Sequence, residues 1–227
     1  QANNDDTGAK FNYANDTSTL VPNWTFQRVR NRTAVGNTNF GYWMGGDASS
    51  TLPDNSAAAI TRIDYSNDTA GGVKSGLLAS AYSPGSPGYV QTQSHKCATG
   101  NADFGWIAGG MGRSRIERMD YANDTAMTLL KGNTGFNAPS TGNGGLSAMG
   151  NEFYGWFGGA MDYGPAAGQG GTSYVNRIDF ANDSNGASFR TALNSSAFQS
   201  GGGYFGDWSS PNYGWLAGGN TTNNYYG

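Results

Sequence analysis

The side chains able to do chemistry are few. One histidine, His95, and one cysteine, Cys97, stand two positions apart in a chain of 227 residues. Two soft ligands without further partners make a poor metal site. A lone cysteine excludes an internal disulfide and any cluster built on several thiolates. No G-x-S-x-G, H-E-x-x-H, P-loop or EF-hand phrase occurs. The chain therefore reads as a non-enzyme, with no catalytic residue, metal or cofactor expected.

The charges that recur do so at fixed places. Asp64, Asp120 and Asp179 hold one position of a repeated phrase, and Arg62, Arg118 and Arg177 stand two residues earlier. In an extended strand that spacing puts each Arg and Asp on one face. A carboxylate needed in every copy points to turn or interstrand hydrogen bonds, with a shared axial cation as the alternative. Pairing of Arg with Asp between these positions is the structural expectation.

Asn-x-Ser/Thr sequons begin at Asn15, Asn67, Asn123 and Asn182, all in the same repeated phrase, and at Asn23, Asn31, Asn194 and Asn220. Asn-Asp-Thr is good turn chemistry in its own right, and an exposed turn is also a suitable glycan acceptor. These eight asparagines are the glycosylation candidates. Trp106, Trp156 and Trp215 lie inside a repeat and are expected in the core rather than as sugar-stacking platforms. Trp24, Trp208, Tyr225 and Tyr226 lie outside the repeated phrase and are the surface-contact candidates.

Two alternating phrases must position these residues. The first is Phe40-Gly41-Tyr42-Trp43-Met44-Gly45-Gly46, with copies at Phe104–Gly110, Tyr154–Gly159 and Tyr213–Gly219. The second is Ile63-Asp64-Tyr65-Ser66-Asn67-Asp68-Thr69, with copies at Phe11–Thr17, Met119–Thr125 and Ile178–Ser184. They share a period of about 57 residues, the signature of a repeat architecture. Four repeats fill residues 1–227, which reads as one domain.

Composition agrees. Glycine is 37 of 227 residues, while aromatic and charged residues are each 13%. Disorder would need few aromatics and high net charge. Glycine with short alternating apolar runs instead suits many short strands joined by tight turns. No stretch has a helical period. Residues 47–59, 131–145 and 160–172 read as loops, and Ser-Pro-Gly-Ser-Pro-Gly at 83–88 is excluded from regular structure. A net charge of −3 with no basic tract argues against nucleic acid, and no apolar run reaches the roughly 18–20 residues of a membrane span. The chain opens at Gln1 without Met, as a processed product or the visible part of a longer one would.

Each repeat offers about four strands, and one such meander cannot bury both faces, so neighbours must stack. Radial stacking gives a β-propeller. The ends carry the closure argument. Each internal Gly-Gly pair precedes the next Asn-Asp turn by roughly 13–23 residues, and joining tail to head gives roughly 23. The expectation is an all-β, four-bladed propeller closed by pairing the N-terminal strand at Phe11–Tyr13 with the C-terminal blade at Tyr213–Gly219. Between molecules the same complementarity would donate a strand to a neighbour and build a fibre. The fourth repeat departs at Asp207–Asn212, where Trp208 has no counterpart by sequence.

The phrases resemble Kelch-type propeller repeats, in which a Gly-Gly pair ends one strand and the next carries an aromatic and an Asp before a tight turn. Arg62-Ile63-Asp64-Tyr65 and Arg177-Ile178-Asp179-Phe180 match that second half. The usual Trp after the turn is absent, which makes this a divergent relative. The Asp-Tyr-Ser/Ala-Asn-Asp-Thr form is similar to repeats in large proteins of aquatic phages and bacteria, several associated with virion fibres or cell surfaces. Some Kelch-type propellers are copper radical oxidases, but their two His ligands cannot come from one histidine. Sialidase-type propellers use an Arg triad and Asp boxes, which are missing here. The resemblance implies a structural or adhesive propeller, extracellular or virion-borne, whose partners are copies of itself. A glycan-binding lectin is the alternative, and a propeller enzyme the remoter one.

Overall fold

A computed structural model describes residues 8–21, 29–30, 32–45, 47–48, 60–74, 96–109, 116–129, 143–144, 147–162, 171–186, 206–209 and 211–217. All regular structure among them is strand. The N-terminal hairpin joins β1 (Gly8–Asn12) to β2 (Thr17–Val21). A two-stranded ribbon pairs β3 (Val29–Arg30) with β6 (Asp47–Ala48). Sheet I has the order β4 (Thr33–Gly36), β5 (Phe40–Met44), β7 (Ile60–Asp64), β8 (Thr69–Lys74). Sheet II repeats it as β9 (Lys96–Gly100), β10 (Phe104–Gly109), β11 (Ile116–Asp120), β12 (Thr125–Leu129). Sheet III does so again with β14 (Ser147–Gly150), β15 (Tyr154–Asp162), β16 (Gly171–Asp179) and β17 (Ser184–Gly186). There β13 (Asn143–Gly144) adds a fifth strand by pairing with the far end of β15. The C-terminal hairpin pairs β18 (Gly206–Ser209) with β19 (Gly214–Ala217). All pairings are antiparallel, and the architecture is propeller-like.

Register is conserved from sheet to sheet. Tyr42 lies opposite Arg62, Trp106 opposite Arg118 and Trp156 opposite Arg177. The core lies between sheets rather than within one. Tyr42, Met44 and Ile60 of sheet I pack with Ile107, Met119 and Tyr121 of sheet II. Cys97, Trp106 and Ile116 of sheet II pack with Phe157, Ile178 and Phe180 of sheet III. The second strand of sheet II is thus covered on both faces, which explains its near-continuous apolar run. Each fully buried ring contributes about 1.5–3 kcal/mol. Glycine is required where the sheets approach closely: a Cβ on Gly155 would stand 2.7 Å from Thr99 Cγ2 and 2.9 Å from the Phe180 ring.

Several expectations change. The stretch 160–172, read as a loop, is largely strand at its two ends. Ala160 pairs with Thr172 and Met161 with Gly171, beyond a register shift after Gly158. Backbone pairing across a long hairpin carries these small residues without any apolar alternation. Residues 143–144, inside the other expected loop, form β13, and 47–48 form β6. Trp208 does have a structural counterpart, because it pairs with Trp215 as Val35 pairs with Tyr42. Among the described residues β1 pairs only with β2 and β19 only with β18, so the sheet expected to join the two ends is seen as two separate hairpins.

One ion pair is fully buried. Lys96 Nζ on β9 donates to Glu117 Oε2 on β11 at 2.8 Å, with side chains 4% and 2% exposed. In sheets I and III the glutamate's place is held by neutral Thr61 and Asn176, while the lysine's place in sheet I is held by Arg32. A buried pair can be exchanged for apolar residues of similar volume, but not broken by halves. Glu117→Ala strands the ammonium and is expected to cost about 3–5 kcal/mol, whereas Lys96→Met with Glu117→Leu costs far less. Chemical unfolding of both variants checks the difference, and equal losses would refute it.

Candidate functional site: aspartate clamps between sheets

The repeated Asn-Asp turn is built by its own side chains. Asn15 Oδ1 accepts from the Thr17 amide and hydroxyl, and Asn67 Oδ1 does the same for Thr69. Asp64 Oδ1 accepts from the Ser66 amide at 2.9 Å and its hydroxyl at 2.6 Å, and these bonds hold the Asp64 carboxyl below its usual range. Asp120 and Asp179 cap the amides of Ala122 and Ala181. These carboxylates are therefore turn residues, as expected, and they do not pair with the arginines two positions before them.

The arginines reach a different aspartate. The second residue of each Asn-Asp pair has a positive φ: 55° at Asp16, Asp68 and Asp183, and 51° at Asp124. This left-handed conformation costs a non-glycine residue of order 1 kcal/mol. It turns the carboxylate toward the preceding sheet. Asp124 is gripped there by two donors: Tyr42 Oη donates to Oδ1 at 2.8 Å, and Arg62 Nη1 bonds Oδ2. Asp183 is gripped alike, by Trp106 Nε1 at 2.9 Å and by Arg118 Nη1. Each donor pair sits directly opposite across two strands, which brings aromatic and guanidinium side by side.

Aromatic rings hold the clamp from both sides. The Arg62 guanidinium lies 4.5 Å over the Phe40 ring, and Arg118 lies 4.6 Å over Phe104. Tyr42 stacks on Tyr121 with centroids 5.2 Å apart, and Trp106 on Phe180 at 3.9 Å. The first turn makes a weaker version, with Lys10 Nζ 2.8 Å from Asp68 Oδ2. Exposure ranks the three joints. Side chains of the Arg62–Asp124 pair are 24% and 20% exposed, against 53% and 39% for Lys10–Asp68. Hydrogen bonds to a partly buried charge are worth about 1.5–3 kcal/mol, and an exposed pair about 0–1 kcal/mol.

Residue types alone did not reveal this partner choice. The available signal was an Asp where Gly or Asn would enter the left-handed region more easily. Of the tryptophans expected in the core, Trp106 is buried, Trp156 is half-buried and Trp215 is 46% exposed. Asn15, Asn67, Asn123 and Asn182 are exposed at turn tips, and Asn123 Nδ2 donates to Asp120 Oδ2. Trp208 lies in β18. Trp24, Tyr225, Tyr226, Asn23, Asn31, Asn194, Asn220 and His95 lie outside the described residues.

A groove of about 500 Å³ opens between sheets II and III at the strand ends. Asp103, Glu152, Phe153 and Asp179 line it, with Phe153 62% exposed. Among the described residues no three His, Cys, Asp or Glu side chains converge as metal ligands.

The clamps leave a pH signature. Tyr42 is pushed well above the ordinary tyrosine range, chiefly by burial and then by its bond to the Asp124 carboxylate, and Tyr121 is raised mainly by burial. A phenol kept neutral by the fold leaves stability unchanged where unfolded tyrosine is also neutral. Above about pH 10 only the unfolded chain releases that proton, so stability falls as pH rises. A phenolate titration followed together with circular dichroism should show these two rings ionising with unfolding. Full ionisation of every tyrosine before any loss of structure would refute it.

No family model matches the chain, and no curated protein matches it. Among solved structures, that of YjhT superposes with a TM-score of 0.61 over 96% of this chain and 69% of its own, at 12% identity. At that identity the likeness extends to the fold.

Proposed function

We propose that the chain is a divergent Kelch-like propeller of four blades, serving as a non-enzymatic structural or adhesive subunit of an extracellular or virion surface assembly made of its own copies. Sheets I, II and III are three blades. The fourth is assembled from β18, β19, β1 and β2, with β19 paired to β1. Support for that order comes from the register of the three complete sheets, which carries over to set Tyr213 opposite Asn12 and Ala217 opposite Gly8.

The functional half rests on one observation. The recurring charged and aromatic side chains are taken up in joints between sheets, at Asp68, Asp124 and Asp183. A chain whose repeated chemistry is spent on holding its own sheets together acts as a rigid building block. The exposed asparagines at the turn tips would carry glycans in a host with the machinery.

Two cysteines test the fourth blade. By the shared register residues 8 and 217 would be a closely spaced facing pair, within disulfide range once both are cysteine. Oxidised Gly8→Cys/Ala217→Cys protein is expected to run as a disulfide-closed monomer. A disulfide-linked ladder would mean strand donation between copies, and no disulfide would refute the blade. Immunogold microscopy of native material tests the role: label belongs on a virion or cell surface, and confinement to cytosol would refute it.

A second reading, a glycan-binding propeller, is favoured by the groove beside Phe153, where an exposed ring stands near the carboxylates of Asp103 and Glu152. A ring face stacks on sugar C–H groups, and carboxylates accept from hydroxyls. Glycan-array binding abolished by Phe153→Ala would establish it, and an array without hits would remove it.

A further inference from the structure

We infer that Arg177 and Trp156 form an open clamp whose occupant is the Asp16 carboxylate of the same chain. The inference rests on the four-bladed reading above and names the contact that closes it. Each joint between neighbouring sheets follows one rule: the left-handed Asp of a turn is held by the strand pair of the sheet before it. Lys10 holds Asp68, Arg62 with Tyr42 holds Asp124, and Arg118 with Trp106 holds Asp183.

That rule leaves one donor pair and one acceptor over, at opposite ends of the series. Arg177 lies opposite Trp156 in the same register and 4.4 Å over the Tyr154 ring, matching the two filled clamps. Among the described residues no ion pair joins Arg177 or Asp16. Asp16 has the φ of 55° found at Asp68 and Asp183, and its turn is tied by the same Asn15–Thr17 bonds as the Asn67–Thr69 turn.

Exposed aromatics mark the same joint. Tyr13 holds the turn position taken elsewhere by Tyr121 and Phe180, which cover Tyr42 and Trp106. It is 90% exposed, and Trp156, the ring it would cover, is only half-buried. On the other side of the gap Trp215 is 46% exposed and Tyr65 47%. One closing contact therefore fills a clamp and covers two ring pairs.

The same chain is the occupant because both halves of the missing sheet are already seated. Asn151 Nδ2 donates to the Pro211 carbonyl, and Gly214 lies against Met149, which fixes the C-terminal hairpin on sheet III. Lys10 fixes the N-terminal hairpin on sheet I. Tethered strands meet at an effective concentration of order millimolar, whereas a second copy offers the same contacts and loses translational freedom as well.

A double-mutant cycle at micromolar protein, with mass read by sedimentation, tests this. Asp16→Ala and Arg177→Ala are each expected to lower the Tm by about 3–6 °C, and together by no more than the larger single loss. Asp16→Ala with Arg118→Ala should instead add, since Arg118 belongs to a different joint. Asp16→Asn and Arg177→Gln replace the alanines if those do not fold. Additive losses for Asp16 and Arg177 overturn the assignment, and so does coupling seen only in a species of twice the mass. An additive cycle in a protein whose Gly8→Cys/Ala217→Cys disulfide closes within the monomer leaves the fourth blade standing and removes only this clamp.

Discussion

A carboxylate held in a left-handed turn and gripped by the sheet before it is the constraint on which the molecule depends. Strand pairing builds each sheet but says nothing about how sheets are spaced. The buried rings between them supply most of the free energy, yet burial is non-directional and would tolerate sliding. Two donors converging on Asp124, and two on Asp183, pin one sheet against the next to within a hydrogen bond's tolerance. The strained turn is the cost of aiming that carboxylate, and the hydrogen bonds it makes outweigh the order of 1 kcal/mol involved.

The chain carries few charges, thirteen basic and sixteen acidic residues in 227, and the three joints use six of them. Arg62 and Arg118 lie over aromatic rings while an Nη group of each bonds the aspartate of the next sheet, so the guanidinium acts as a spacer as much as a charge. Lysine cannot do this, and the one joint that uses it, Lys10–Asp68, is the most exposed of the three. The Lys96–Glu117 pair is of another kind: it ties two strands of one sheet, and neutral Thr61 and Asn176 hold the glutamate's place in sheets I and III.

Much of the fold is legible in the residues, for identifiable reasons. Asn-Asp turns have side-chain chemistry that depends only on near neighbours, so they can be placed from sequence. The aromatic-Gly phrase marks the strand that faces the neighbouring sheets, and glycine is demanded where the neighbouring sheet comes within Cβ distance, as at Gly155. What the residues conceal is any choice made across the gap between sheets. Arg62 has Asp64 two positions away and Asp124 sixty-two away, and only the packed structure distinguishes them. The extended ends of β15 and β16 are hidden likewise, because their stability comes from pairing with each other, not from side-chain pattern. Trp208 looked unique because alignment by residue type misses a position defined by its partner, Trp215.

The two termini show how a repeat protein distributes its unmet contacts. In the middle of the series the rings that face the next sheet are covered by it: Trp106 and Tyr42 are both 0% exposed. Tyr13, Tyr65, Tyr213 and Trp215, which hold equivalent positions at the ends, are the large exposed aromatics of the chain's described part, together with Phe11 and Phe153. Surface tyrosine and tryptophan scattered singly would need no explanation. Here exposed Tyr13 and Tyr65 match buried Tyr121 and Phe180, and exposed Trp215 matches buried Tyr42 and Trp106. A repeat that is polar at its outer face would cap the series; these end faces keep the aromatic residues of an internal joint instead. The complementary face, with the left-handed Asp16 turn the other joints use, belongs to the N-terminal hairpin of the same chain.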